Sequence, residues 1–206
     1  MRAFSRFRSA LLAAALLTAA GMPSRAQDVL PPGVASEAAT PPADETREAR
    51  LDRLFAELRR EPDAEKATAV ANQIQGVWLD SGSATVDLLM ERAGQAVARK
   101  DAGAALDLVD QAIVLQPDYA EAYNRRATLH YTQNRYALSI ADVEETLRRE
   151  PRHFGALTGL GAMLEELGRK REALEAYTRA LTLYPTLKAA QDAAARIAEE
   201  MSGEPA

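Results

Sequence analysis

The sequence predicts an all-α fold: a right-handed α-solenoid of stacked helical hairpins with capping helices. Two observations carry that expectation. Pro117, Pro151 and Pro185 stand 34 residues apart, and residues 86–117, 120–151 and 154–185 superpose so that small residues fall in shared columns. Ala93, Ala127 and Gly161 share one column, followed by Ala105, Ser139 and Ala173, then Val109, Val143 and Tyr177, then Ala112, Thr146 and Ala180. Small residues repeated on the facing sides of two helices let their backbones approach closely, and the larger Val or Tyr fills the space beside them. Each proline lacks an N–H and disfavours helical geometry in the residue before it, so the second helix of each hairpin should stop near Gln116, Glu150 and Tyr184.

In chain order, residues 1–26 read as a cleavable export signal: Arg2, Arg6 and Arg8 precede an apolar run from Ala10 to Ala20, and Ser24-Arg25-Ala26 offers a cleavage register. That run falls short of the roughly 20 residues a membrane-spanning helix needs. An exported chain is expected, periplasmic or secreted, with no membrane span after cleavage. Residues 27–45 hold Pro31, Pro32, Pro41 and Pro42 among Ala, Ser, Thr and acids and read as a disordered tether. Over residues 46–83, Leu51, Leu54, Phe55 and Leu58, then Ala67, Val70, Ala71, Ile74 and Trp78, recur at helical spacing. Asp63 suits an N-cap and Gly82 a left-handed C-cap. This degenerate helical pair is expected to cover the open end of the stack, as a solenoid's terminal unit does, while the sequence leaves open whether it packs as a fourth unit or folds back across the groove.

Residues 84–185 form the three regular units, with turns expected at Asp101-Ala102-Gly103, Gln133-Asn134 and Leu167-Gly168. Residues 186–206 give a final capping helix, with Ala190, Ala194, Ile197 and Met201 on one face, and a short tail.

The third unit reads Leu157, Leu160, Gly161, Leu164, Ala173, Tyr177 and Pro185; the second reads Tyr123, Arg126, Ala127, His130, Ser139, Val143 and Pro151. These positions resemble the tetratricopeptide repeat family, whose 34-residue unit carries small and large apolar residues in that order. Arg92 and Arg126 depart from the pattern and are expected to lay their stems along the helices with their heads in water. The resemblance implies that the first helix of each unit lines a concave groove that grips a peptide or helix of another protein. By register that surface comprises Asp87, Met90, Glu91, Gly94 and Val97; then Glu121, Asn124, Arg125, Thr128, Tyr131 and Thr132; then Gly155, Thr158, Gly159, Ala162 and Glu165. Four acids and one arginine imply a neutral or basic partner segment. The lysine and arginine clamp that some members use for a peptide carboxylate is missing, which leaves Asn124 and Arg125 as the polar candidates.

Chemistry is hard to find in the chain. With no cysteine there is no disulfide or thiol chemistry. The two histidines, His130 and His153, sit far apart in the repeat register: His130 is expected to be half-buried packing and His153 a solvated turn residue. No catalytic residue, metal site or cofactor is expected. Neighbouring acids such as Glu165 and Glu166 point about 100° apart on a helix and read as solubilising charge. The net charge is −5; loss of residues 1–26 removes four arginines and no acid, which makes it −9. That balance argues against a nucleic-acid partner, which needs a basic stripe. The function expected is a non-enzymatic, periplasmic protein-interaction scaffold; the alternative is a self-associating envelope protein that stacks through its terminal helices.

Overall fold

The computed structural model describes residues 45–203, so the expected signal, residues 27–44 of the expected tether and the last three residues lie outside the described part. The described residues form nine α-helices and no strand. They are α1 (Arg47–Leu58), α2 (Ala64–Leu79), α3 (Ala84–Ala98), α4 (Ala102–Leu115), α5 (Ala120–Thr132), α6 (Tyr136–Arg149), α7 (Phe154–Glu166), α8 (Lys170–Leu183) and α9 (Lys188–Gly203). None is long and apolar enough to cross a membrane.

The prolines end their helices where expected: α4, α6 and α8 are capped by Gln116, Glu150 and Tyr184. Within each hairpin the small columns meet. Ala93, Ala105 and Ala112 are fully buried in one core cluster, and Ala173, Ala176 and Ala180 lie in another. At Gly161 the approach is closest: a Cβ there would lie 2.7 Å from the Tyr177 ring, so only glycine fits beside that tyrosine. The first and second units use Ala93 with Val109 and Ala127 with Val143 at the same positions, so the two columns compensate in volume.

Turns inside the hairpins place a left-handed residue at Lys100 (φ 61°), Asn134 (φ 58°) and Gly168 (φ 74°), again 34 residues apart. The first of these differs from the turn the sequence suggests. Asp101 caps α4 by accepting the Ala104 N–H, Gly103 lies inside the helix, and Lys100 takes the left-handed turn.

The α1–α2 pair forms as its spacing requires. Asp63 accepts the N–H groups of Glu65 and Lys66, and Leu54, Phe55, Leu58, Ile74 and Trp78 are buried. It does not cap the stack. Instead it lies along the row of turns that join one unit to the next, sharing a core with Phe154 and Tyr184 and packing α2 against α5. Two sequence columns hold it there. The residues before the three prolines all reach it: Gln116 donates to the Ser81 carbonyl, Glu150 accepts the Trp78 indole N–H, and the Tyr184 hydroxyl bonds Thr68. So do the residues at the starts of α5, α7 and α9: Tyr119 donates to the Leu79 carbonyl, His153 stacks on Trp78, and Leu187 packs on the shared core.

The ends of the stack are finished by substitution. Leu88 shares a column with Ala122, Ala156 and Ala190, which are 0–2% exposed against a preceding helix, whereas Leu88 is 44% exposed with none before it. Around it, Thr85 and Gln95 stand where the next unit has the buried Tyr119 and Leu129, and α3 turns a mostly polar face outward. At the far end α9 is the first helix of an incomplete fourth unit. Gln191, Ala195 and Ala198 stand exposed where Leu157, Gly161 and Leu164 pack on α8.

Candidate functional site

Helices α5 and α7 run side by side on the inner face, and the column that starts each of them sets the site. His153 is buried, contrary to the solvated role expected after Pro151. Its Nδ1 accepts the Ala156 N–H and caps α7, so the proton sits on Nε2 and is donated to Glu121 Oε2 at 3.1 Å. Its ring stacks on Trp78 with centroids 4.2 Å apart. Glu121 also accepts from Asn124 Nδ2 at 3.0 Å and meets Arg125 at 3.7 Å. This acid is therefore consumed inside the protein and is buried, where the sequence placed it on an open groove.

The remaining groove acids are engaged in the same way. Asp87 accepts the Ser81 N–H, Glu91 accepts from Gln95, and Glu165 holds Arg196 and the Tyr177 hydroxyl. Glu166, read from sequence as solubilising charge, accepts both the Tyr131 and Tyr136 hydroxyls. That bond, more than burial, pushes the Tyr131 phenol up to about 12. Burial and the neighbouring Glu165 do the same at Tyr177, also to about 12.

Arg126, expected to end in water, is partly exposed and bound by acids: it donates twice to Asp142 and once to the exposed Asp110, which raises its pKa further. His130 lies 3.8 Å from Asp142, its Nδ1 buried without a partner, and burial lowers its pKa.

Six of the expected groove residues come together. Asn124, Thr128 and Tyr131 from α5 face Gly155, Gly159 and Ala162 from α7 across a cleft of about 220 Å³. Its floor is Ala127, Val143, Ala156 and Met163, residues that sequence reasoning had assigned to the core or left unassigned. A Cβ on Gly159 would meet nothing within 4 Å, so the glycine lies open to the cleft. Thr128 and Thr158 hydroxyls bond back to the carbonyls of Asn124 and Phe154. Met90 is buried, Gly94 lies against Arg125, and Glu91, Thr158 and Glu165 stand outside this cleft.

A second cleft, about 290 Å³, adjoins the first and shares Asn124 and Gly155 with it. Gln75, Trp78 and Leu79 of α2 form one side, and Arg125 and His153 the other. Sequence reasoning missed these α2 residues because their spacing shows a buried face without showing what it is buried against. Among the described residues no group of three or more His, Asp or Glu side chains could hold a metal ion.

The tetratricopeptide repeat family model matches residues 90–145 and 124–188. A tetratricopeptide-repeat-containing protein of Rhizobium etli is 48% identical over 154 residues, covering 75% of this chain and 76% of that protein. The small glutamine-rich tetratricopeptide repeat-containing protein 2 of Saccharomyces cerevisiae is 32% identical over 97 residues, which is 47% of this chain and 28% of the yeast protein. Among solved structures, the first repeat domain of Spaghetti bound to an HSP90 peptide superposes with a TM-score of 0.55 at 18% identity, over 58% of this chain and 94% of that one. The Sgt2 repeat domain of Aspergillus fumigatus gives 0.54 at 21% identity, over 60% and 87%. At such identities the likeness speaks for the fold.

Proposed function

Because the chain belongs to the tetratricopeptide repeat family, we propose that it is a non-enzymatic interaction module that holds a segment of a partner protein between α5 and α7. The observation that carries this is the open cleft of about 220 Å³, whose lining includes no acidic or basic side chain. Two exposed glycines on α7 let a partner backbone come close. A bound HSP90 peptide on the Spaghetti domain shows that a stack of this shape can carry such a segment. The positively charged, then apolar, N-terminal pattern supports an exported, periplasmic setting for this exchange. End-to-end self-association has less support, since α3 and α9 turn mainly polar or small residues outward.

The test is capture of partners from a periplasmic extract on immobilised full-length protein, followed by titration of the recovered partner against Gly159→Leu. Leucine projects into the open cleft without touching the core, so folding persists and affinity should fall at least about tenfold, or 1.4 kcal/mol. Equal affinity for both proteins removes the cleft from the function.

A further inference from the structure

Units in a plain stack meet only their neighbours, so the angle between the first and the third is set by two joints, and small rotations at each add up. The two joints are packed unequally. At the first, Met90 is buried and the Arg125 side chain lies against Gly94. At the second, the same columns hold Asn124, Thr128 and Gly159, with no side chain on the glycine to fill the space, and the cleft of about 220 Å³ opens there. Where a cleft takes the place of packed side chains, the facing residues forfeit those contacts, and the joint has less to hold its angle. The 13 residues of α7 make it about 20 Å long, so a rotation of about 10° at its start would carry its far end about 3.5 Å across the cleft.

The α1–α2 pair bears on this joint from the side of the turns. His153 stacks on Trp78, Phe154 meets the Phe55 and Trp78 rings, and Glu150 accepts the Trp78 N–H. Arg152 lies over the Phe55 ring, 4.9 Å from its centroid, and pairs with Asp52 of α1. The turns on either side are tied to the same pair, one through Gln116 and Ser81, the other through Tyr184 and Thr68. With 16 residues α2 is about 24 Å long, enough to span two steps of the about 8–10 Å that separate packed helices.

We infer that the α1–α2 pair is a strap: it fixes the angle between successive units, and with it the width of the cleft, from outside the repeats. A pair that only buried its own apolar face would need the aromatic patch at Phe154 and nothing more. One tie per unit, recurring with the 34-residue period, is what a brace requires. The strap rests on the fold alone and holds whether or not the cleft carries a partner. It also makes the two parts reciprocal: whatever loosens the pair frees the second joint, and whatever forces that joint to a new angle works against the docking of the pair.

The chain has no cysteine, so the full-length protein takes spin labels at Asp107→Cys and Glu175→Cys, exposed positions of one column on α4 and α8, and pulsed electron spin resonance reads the distance between the first and third units. Three variants are compared in that background. Leu54→Asp puts a charge into the fully buried core of the pair without altering a repeat residue. Gln116→Ala with Tyr184→Phe removes the two outer ties and leaves the aromatic patch. Gly161→Ala, which crowds the inside of a hairpin, is the control. The background and the control should each give one narrow distance. Leu54→Asp should give a distribution at least twice as wide while the circular dichroism of the repeats persists, and the double variant a width in between. An unchanged width in Leu54→Asp overturns the strap, and so does equal broadening in Gly161→Ala. Where Leu54→Asp fails to fold, the double variant decides, and a width equal to that of the background overturns the strap.

Discussion

Gly159 and Gly161 sit two residues apart on α7, yet alanine at these positions should act in opposite directions. Replacing a helical glycine with alanine gains about 1 kcal/mol, because the glycine loses more backbone freedom on folding. At Gly159 nothing lies within 4 Å of the added carbon, so Gly159→Ala should keep that gain. At Gly161 the carbon would stand 2.7 Å from the Tyr177 ring, which is buried and cannot swing away. Overpacking of this kind costs about 1–3 kcal/mol, so Gly161→Ala should come out between neutral and about 2 kcal/mol destabilised. The difference between the two variants cancels helix propensity and isolates the clash. Urea unfolding followed by far-ultraviolet circular dichroism gives it directly, provided the denaturant slope is unchanged. A third arm makes the reasoning sharper. In the Tyr177→Val background, which mirrors the Ala93–Val109 and Ala127–Val143 pairs, Gly161→Ala should stabilise, a sign change that only direct contact produces. Equal stability for Gly159→Ala and Gly161→Ala in the wild-type background would refute the account of the small-residue column.

Two further outcomes are expected. Arg126→Leu removes the partner of Asp142, a carboxylate only 7% exposed, and should cost about 3 kcal/mol; Arg126→Leu with Asp142→Ala copies the Leu160–Ala176 pair of the next unit and should recover most of the loss, as thermal melts would show. His130 is depressed in the folded state, chiefly by burial, so the unfolded chain binds the proton more readily and stability falls as pH drops through and below about 6.5, the ordinary histidine value. Protonation would also put an N–H on the partnerless Nδ1. Comparing urea midpoints at about pH 7.5 and about pH 5.5, His130→Leu should show a smaller drop than wild type; an equal drop assigns the acid sensitivity elsewhere.

The parts of the fold that were legible in the sequence are those set by neighbours along the chain. A proline stops its helix whatever surrounds it, so Gln116, Glu150 and Tyr184 were identified as helix ends before any packing was known. Small columns imply close approach, and Gly161 delivers it. Half of the site was legible for the same reason: register alone brings Asn124, Tyr131, Gly155 and Gly159 to one face. Long-range pairing was not legible. Leu54 and Trp78 announce a buried face, but helical spacing is the same whether that face meets the next repeat or a row of turns. His153 followed a proline in what reads as a solvated turn, and only Trp78 and Glu121, 75 and 32 residues away, bury it. Arg126 looked solvent-bound because its counter-ions lie 16 residues off on either side, at Asp110 and Asp142.

The two anchoring columns explain why the α1–α2 pair lies beside the groove rather than over the end of the stack. A capping helix pair needs an apolar face to cover, and α3 offers one exposed leucine flanked by Thr85, Arg92 and Gln95. The inter-unit turns offer far more: Tyr119, His153, Phe154, Tyr184 and Leu187 all meet the pair, and each except Leu187 is buried. Burying large side chains of this kind is worth about 1.5–3 kcal/mol each, so the row of turns outweighs the polar end as a landing surface. Because those turns lie where α5 and α7 begin, the landing also fixes the edge of the cleft. The residues that stabilise the pair and those that shape the second cleft therefore meet at His153, which packs against Trp78 with its ring and holds Glu121 with its Nε2. His153→Ala should consequently loosen α2, seen as a lower melting temperature, and leave Glu121, which already lines the second cleft, without its imidazole partner.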